Sequence, residues 1–398
     1  MSNSKTLVLH LGIHKTGSSA IQSSLAKYRN QLKSVGLHVF DCLPENHSEF
    51  FQCSFGDDPT SYHSVRDKKM SLNQVKVRSA FVINKLRQEL SESSSKIFVL
   101  TGEDGSLLSV DGLSRLAEFL ANLGFQSSSV KIIIYAREHS AYVASAIQQN
   151  VKANNLTIQR SFSWHFRSSS CLYANLYIRL ATVFPSSSIH FYDFQKACQH
   201  EGGLFGHFLE TINIELSDFA EIRENIGLSL ESIYLIDLAR RNGLTLTRNQ
   251  INALGKIHGF GKFDLGNHAK VAVRNACLND RNFLRNVCGI EFLPFNDRPL
   301  APPSTKKYLC ALKESNPLLF SKLLSLWSHL LEGEPANFHS LSDQDMNELF
   351  IPSLTLLTDE KSVKVGLISD QDHRHAHIVS RLRYMKDILS GCRSAADA

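Results

Sequence analysis

The chain has 398 residues, of which 43% are hydrophobic and 20% charged, the make-up of a globular protein with a substantial core. A formal charge of +5 is mildly basic and compatible with a small anionic ligand. No stripe of Lys/Arg interleaved with aromatics marks a nucleic-acid surface, so that class is excluded as a partner. The eight cysteines are scattered with no Cys-x-x-Cys pair, which points to thiols in a reducing compartment and not to a disulfide frame or a zinc site. No segment reaches the roughly 18 apolar residues of a membrane span, so a cytoplasmic chain without an integral membrane segment is expected.

In chain order, Thr6–Leu11 reads as a buried strand and Ser18–Val35 as the helix that follows it, with Gly36 as its C-cap. Further strands are expected at Leu37–Phe40, Lys96–Thr101, Val130–Ala136 and Ser188–Asp193, with a helix over Asp111–Leu123. Strands separated by helical patterns predict an α/β fold, three layers deep, with a mostly parallel central sheet. After Pro185 the chain turns mostly helical, and Pro299, Pro302 and Pro303 mark a boundary. The predicted organisation is a domain over residues 1–298 and a helical C-terminal extension over 299–398, including Tyr308–Leu331 and a basic helix near Arg374–Leu389.

The strongest local signal is His10-Leu-Gly12-Ile-His14-Lys15-Thr16-Gly17-Ser18-Ser19, where a strand enters a glycine-containing turn and then a helix. Such a turn aims successive backbone N–H groups at one point, where the helix dipole adds roughly half a positive charge. Lys15 brings a full charge, and Thr16, Ser18 and Ser19 bring hydroxyls, so the segment is built for a phosphate-like anion. It is not a Walker A loop. Gly12 and Gly17 have the right interval, but Ser18 stands where the lysine belongs and Lys15 precedes the second glycine.

The segment His14-Lys15-Thr16-Gly17-Ser18-Ser19 resembles the 5′-phosphosulfate loop of the P-loop sulfotransferases, whose bacterial members often carry Thr-Thr in place of Ser18-Ser19. That family takes its sulfuryl group from 3′-phosphoadenosine 5′-phosphosulfate (PAPS). The resemblance implies PAPS as co-substrate, Lys15, Thr16, Gly17, Ser18 and Ser19 as its 5′-side contacts, and no metal. Arg137, directly after the strand Val130–Ala136, and Ser145, eight residues further, resemble the family's pair that holds the 3′-phosphate. A guanidinium suits that group because its fork donates two parallel charge-assisted hydrogen bonds. Weaker resemblance extends over Tyr173–Pro185, Ile189–Asp193, Asn225–Glu231 and Asp280–Gly289, although Gly227 stands where the third of these usually has Ser and no Arg-Lys-Gly loop is present.

Sulfuryl transfer to a hydroxyl needs little beyond positioning, charge neutralisation and a base. Lys15 is placed to stabilise the leaving phosphate. Glu103, after the strand ending at Thr101, and His47, after Leu37–Phe40, both match positions of the family's bacterial members, and both stand as candidate bases. His14 is a poorer one because Lys15 adjoins it. His373 and His377 share a helical face, but a solvated helix start accounts for them better than a metal site does. The family implies sulfation of a small-molecule or glycan hydroxyl, with a carbohydrate as the expected acceptor. The competing readings are a nucleotide kinase or NTPase with Glu103-Asp104 as its magnesium site, and a non-catalytic nucleotide-binding module.

Overall fold

A computed structural model of the chain describes residues 5–153, 156–215, 227–241 and 262–292, together with 219, 220, 222, 246, 248, 251 and 252. The first half forms β1 (Thr6–His10), α1 (Ser18–Lys27), α2 (Arg29–Ser34), β2 (Leu37–Val39), α3 (Ser48–Phe55), α4 (His63–Asp67), α5 (Leu72–Glu92), β3 (Ile97–Thr101), α6 (Val110–Asn122) and β4 (Val130–Ala136). It continues with α7 (His139–Ala153), α8 (Ile158–Ser168), α9 (Leu172–Ala181), β5 (Ile189–Asp193), α10 (Phe194–Cys198), α11 (Gly203–Thr211), α12 (Leu230–Arg241), α13 (Asn267–Ala276) and α14 (Leu278–Cys288).

The five strands pair in the order β2-β3-β1-β4-β5, and every pairing is parallel. Their sequences are continuous apolar runs because both faces are covered. Val8, Val99, Ile133 and Tyr135 pack on one face with Ile21, Leu25 and Leu32 of α1 and α2 and with Leu204, Phe205 and Phe208 of α11. Their neighbours Leu7, Leu9, Phe98, Leu100, Ile132 and Ile134 point the other way and are equally buried. The result is the three-layer α/β arrangement expected from the alternation of strand and helix.

Strand bounds agree with the sequence to within a residue or so. The helix expected over Ser18–Val35 is instead two, broken at Tyr28. The Tyr28 ring stacks on Phe205 at 6.1 Å, and its hydroxyl donates to the Ala220 carbonyl at 3.1 Å and accepts from the Ala220 N–H at 3.0 Å. Tertiary contacts have overridden local periodicity there. Helix α5, 21 residues long, had no counterpart in the sequence reading. Its buried face is only Val75, Ser79, Leu86 and Leu90, while Val77 and Phe81 stay exposed, which blurs the apolar stripe. A capping box between Ser71 and Gln74 fixes where it starts.

The chain divides into two compact units. The first holds Met1–Tyr142, Phe166–Ile226 and Val271–Asn296, and therefore the whole sheet. The second takes in Val143–His165 and Gly227–Lys270, segments that lie within the stretch 1–298 read from sequence as one domain. Inside it the Ile158 N–H donates to Asp237 Oδ1 at 2.6 Å and Arg240 Nη1 donates to the Leu156 carbonyl at 2.9 Å. The extension expected over 299–398, with its His373/His377 pair, lies outside the described residues. Among the described residues no helix is long and apolar enough to cross a membrane.

Phe98, fully buried at the centre of β3, packs against the rings of His38, Phe40 and Phe125. Phe98→Ala should cost about 3–5 kcal/mol of unfolding free energy, read as a lower midpoint with an unchanged slope in urea titration.

Candidate functional site

Because all five strands run parallel, the residues after β1, β3, β4 and β5 emerge along one edge of the sheet. The connection from β3 to β4 passes over β1, so strand order reverses beside β1, the place where open α/β sheets bind ligands. Residues 11–17 fill that edge after β1 and lead directly into α1. Two of them are in the left-handed region: Lys15 at φ 72° and Gly17 at φ 79°. The turn is closed by the Thr16 hydroxyl, which donates to the Ile13 carbonyl at 2.6 Å.

Helix α1 begins without a side-chain cap and without an acid in its first turn. Its opening dipole and amides therefore face the loop uncompensated by a carboxylate. Ser18, the first helical residue, is 1% exposed, and its hydroxyl has no hydrogen-bond partner among the described residues. A Cβ on Gly12 would stand 1.9 Å from that hydroxyl, so only glycine lets the strand end pass so close. A buried, orphaned hydroxyl beside a bare helix start is the donor set an oxyanion needs. Lys15 on the loop and Ser19 in the first turn of α1 are half-buried.

Arg137 leaves the end of β4 toward this loop. Its Nη1 donates to the carbonyl of Lys15 at 2.8 Å, joining two segments 122 residues apart. The guanidinium lies over the Phe194 ring, 5.3 Å from its centroid. Phe194 also packs on the loop from below, since a Cβ on Gly17 would meet it at 2.9 Å and Leu204 at 2.3 Å. The Arg137 backbone is held by Tyr173, whose hydroxyl accepts from the Arg137 N–H at 2.8 Å and donates to its carbonyl at 2.6 Å. Ser145 is half-buried two turns into α7, in the part of that helix assigned to the second unit.

On the other side of the loop, His14 lies between two carboxylates. Its Nδ1 is 2.7 Å from Glu103 Oε2, and its Nε2 is 3.0 Å from Asp104 Oδ1. These hydrogen bonds, first to Asp104 and then to Glu103, push the imidazole up to about 10 against the effect of burial. His14 is thus an imidazolium at neutral pH, a stronger reason than the charge of Lys15 for it not to act as a base. Burial works against ionisation of Asp104, but hydrogen bonds from His14 and Tyr62 outweigh it and hold its carboxyl below the usual range. Tyr62 donates to Asp104 Oδ2 at 2.8 Å.

His47 has a different setting. It is fully buried, its Nδ1 accepts from the Thr101 N–H at 3.1 Å, and its own N–H donates to the Thr101 carbonyl at 2.8 Å. It continues the sheet ladder past β2, which pairs with β3 only as far as Val99. Burial, with the charge of Arg29, lowers its imidazole to about 3, so the ring is neutral and its Nδ1 is already engaged. A Cβ on Gly102 would meet Ser48 N at 2.8 Å, so glycine lets the start of α3 settle against the turn that presents Glu103.

The structure therefore brings Lys15, Thr16, Gly17, Ser18, Ser19, Arg137 and Glu103 to one edge and buries His47 beneath it. Tyr62, Tyr173 and Phe194, which pack or hydrogen-bond around this edge, were not singled out from the sequence, and Asp104 was named only in the kinase alternative. Asp104 adjoins Glu103, Phe194 directly follows a strand end and Tyr173 opens a segment of weaker resemblance, so each carried some signal; Tyr62 carried none.

His14 is protonated when folded and loses that advantage when unfolded, so its pairing stabilises the protein fully below about pH 6.5 and is lost as pH rises through about 10. The ring is 43% exposed, which keeps the effect modest. Urea titrations at pH 6 and pH 9 should show lower stability at pH 9, and the difference should shrink in His14→Gln.

No protein-family model matches the sequence, and no curated protein matches it. Among solved structures, the chain is similar to the crystal structure of a sulfotransferase from Alicyclobacillus acidocaldarius, at 15% identity and a TM-score of 0.37, covering 60% of this chain and 95% of that one. A likeness of that degree says nothing about this chain's activity.

Proposed function

We propose that the chain is a sulfotransferase that takes its sulfuryl group from PAPS and passes it to a hydroxyl, with a carbohydrate as the acceptor class that the sequence resemblance suggests. The observation that supports this reading best is the Arg137–Lys15 hydrogen bond. Two motifs matched independently in sequence, one for each phosphate of the same nucleotide, meet at one sheet edge. The orphaned Ser18 hydroxyl and the uncapped start of α1 fit an oxyanion at the 5′ end.

The nucleotide supplies an activated sulfuryl group whose leaving side is a phosphate. In this reading Lys15 neutralises charge that builds on the leaving oxygen, while Ser18, Ser19 and the loop amides orient the 5′ oxygens. Arg137 takes the 3′-phosphate. Glu103 accepts the proton of the acceptor hydroxyl as that oxygen bonds to sulfur. It is preferred over His47 because it lies at the sheet edge and is only partly buried, whereas His47 is fully buried and its Nδ1 already accepts from the backbone. With His14 turned to Asp104 as well, the imidazolium orients Glu103 without cancelling its charge one for one.

Calorimetric titration with adenosine 3′,5′-bisphosphate (PAP) in the absence of divalent cations should show binding in the micromolar range, the scale of many cofactor sites. Arg137→Ala should weaken it roughly 30-fold or more, the equivalent of the ~2 kcal/mol of a charge-assisted hydrogen bond. PAPS turnover against a panel of hydroxylated sugars should disappear in Lys15→Ala and fall by about 10²-fold or more in Glu103→Gln. Unaltered PAP affinity in Arg137→Ala would refute the assignment of the 3′ side. Magnesium-dependent ATP binding without a response to PAP would instead identify a nucleotide kinase or NTPase.

A further inference from the structure

Arg137 lies one residue beyond the last residue of β4, where the ladder to β5 has just ended at the pair Ala136↔Asp193. Its peptide N–H and carbonyl need partners from outside the sheet, and a single buried hydroxyl supplies both: that of Tyr173. Tyr173 is fully buried, and burial raises its phenol well above the ordinary value, so the hydroxyl keeps the proton it donates.

Tyr173 is itself anchored. It lies in the first turn of α9, where its N–H donates to Asp280 Oδ2 at 3.0 Å and the Ala174 N–H donates to Asp280 Oδ1 at 2.7 Å. Asp280, from α14, is 1% exposed and caps α9 from a distance of more than a hundred residues in sequence. The same Oδ2 accepts from His139 Nε2 at 2.8 Å, and His139 is the first residue of α7, two positions after Arg137. Between them, Glu138 is fixed by the Ala141 N–H at 3.0 Å, by the Ser140 hydroxyl and by Arg274 Nε at 3.2 Å. The two residues after Arg137 are thus held by a buried carboxylate and an ion pair, while Ala136 before it is held by the strand ladder. Tyr173, Asp280 and Arg274 all reach this segment from far along the chain.

We propose that Tyr173, held by Asp280 and His139, is a positioning residue that aims Arg137 and so sets the preference of the site for a nucleotide bearing a 3′-phosphate. The inference rests on the reading of Arg137 as the 3′-phosphate ligand. It goes beyond that reading by assigning the selectivity to a buried network that touches no ligand. A guanidinium on an exposed loop would gain most of its attraction for any anion from charge alone. A preference for the 3′-phosphate requires the fork to wait in one place, because a displacement of about 1 Å at a buried donor forfeits the geometry of a bidentate pair.

The test compares PAP with AMP, which lacks only the 3′-phosphate, by calorimetry on the full chain. Wild type should bind PAP more tightly than AMP. Tyr173→Phe keeps the ring and removes the hydroxyl; it should lower the PAP:AMP affinity ratio about tenfold while leaving AMP affinity within a factor of about two. Leu176→Ala, a buried truncation on the same helix, serves as the control. It should lower the melting temperature and leave the ratio unaltered. Should Tyr173→Phe not fold, Asp280→Asn provides the same reading through loss of one anchor. A folded Tyr173→Phe with an unaltered ratio, or a Leu176→Ala that lowers it equally, overturns the inference. A wild type with no preference for PAP overturns both the inference and the reading beneath it.

Discussion

Lys15 carries a side chain yet sits at φ 72°, a conformation that costs a residue of this kind on the order of 1 kcal/mol or more and persists only where its surroundings impose it. Here the Arg137 guanidinium holds the Lys15 carbonyl at 2.8 Å, and the Thr16 hydroxyl ties the turn to the Ile13 carbonyl at 2.6 Å. The left-handed turn at Lys15 is followed by another at Gly17, so the chain doubles back and enters α1 with its first hydroxyl turned inward. Everything on this edge depends on that turn. Without it Ser18 would not lie against Gly12, and the start of α1 would not face the end of β4.

The parallel sheet makes that bond possible and also sorts charge along the edge. Lys15 and Arg137 occupy the ends of β1 and β4, while Glu103 and Asp104 follow β3 on the opposite flank of β1. Two adjacent carboxylates repel each other, and His14 moderates that by standing between them as an imidazolium. Its place in the sequence, directly before Lys15, puts two cationic side chains next to each other on one loop, one of them between the acids. The carboxylates are shared in turn: Asp104 is steadied by Tyr62, while Glu103 faces His14 alone among the described ion pairs.

The sheet was legible in the sequence because its strands are buried on both faces and so read as unbroken apolar runs, as in Ile132-Ile133-Ile134. The loop after β1 was legible because glycines, a lysine and hydroxyls at fixed spacing have few uses at a strand–helix junction. What was not legible depends on partners distant in the chain. Tyr28 breaks a helix because of Phe205 and Ala220, and nothing within its own window signals that. Helix α5 buries too narrow a stripe to show its period. Glu103 and His47 were indistinguishable as bases because each follows a strand, and the difference between them is one of burial and hydrogen bonding. His47 spends its acceptor nitrogen on the Thr101 amide, whereas Glu103 stays at the edge.

That difference has a physical origin in where the sheet stops. Strand β2 is three residues long and leaves the last amide and carbonyl of β3 without a neighbouring strand. A buried peptide group without a partner costs of order 1–3 kcal/mol, so a side chain must be recruited to finish the ladder, and imidazole can accept at one nitrogen. His47 does so with Nδ1 and its own N–H. At the end of β4 the same deficit is met by the Tyr173 hydroxyl, which serves both backbone groups of Arg137. In both places the strand end is completed by a buried polar side chain, and the residue beyond it is thereby released from backbone duty to face the edge. At β3 that residue is in the turn carrying Glu103; at β4 it is Arg137 itself. A strand that runs out of neighbours thus creates the rigid, correctly aimed positions that a site at a sheet edge requires, and the groups that complete it are as necessary to the site as the residues they present.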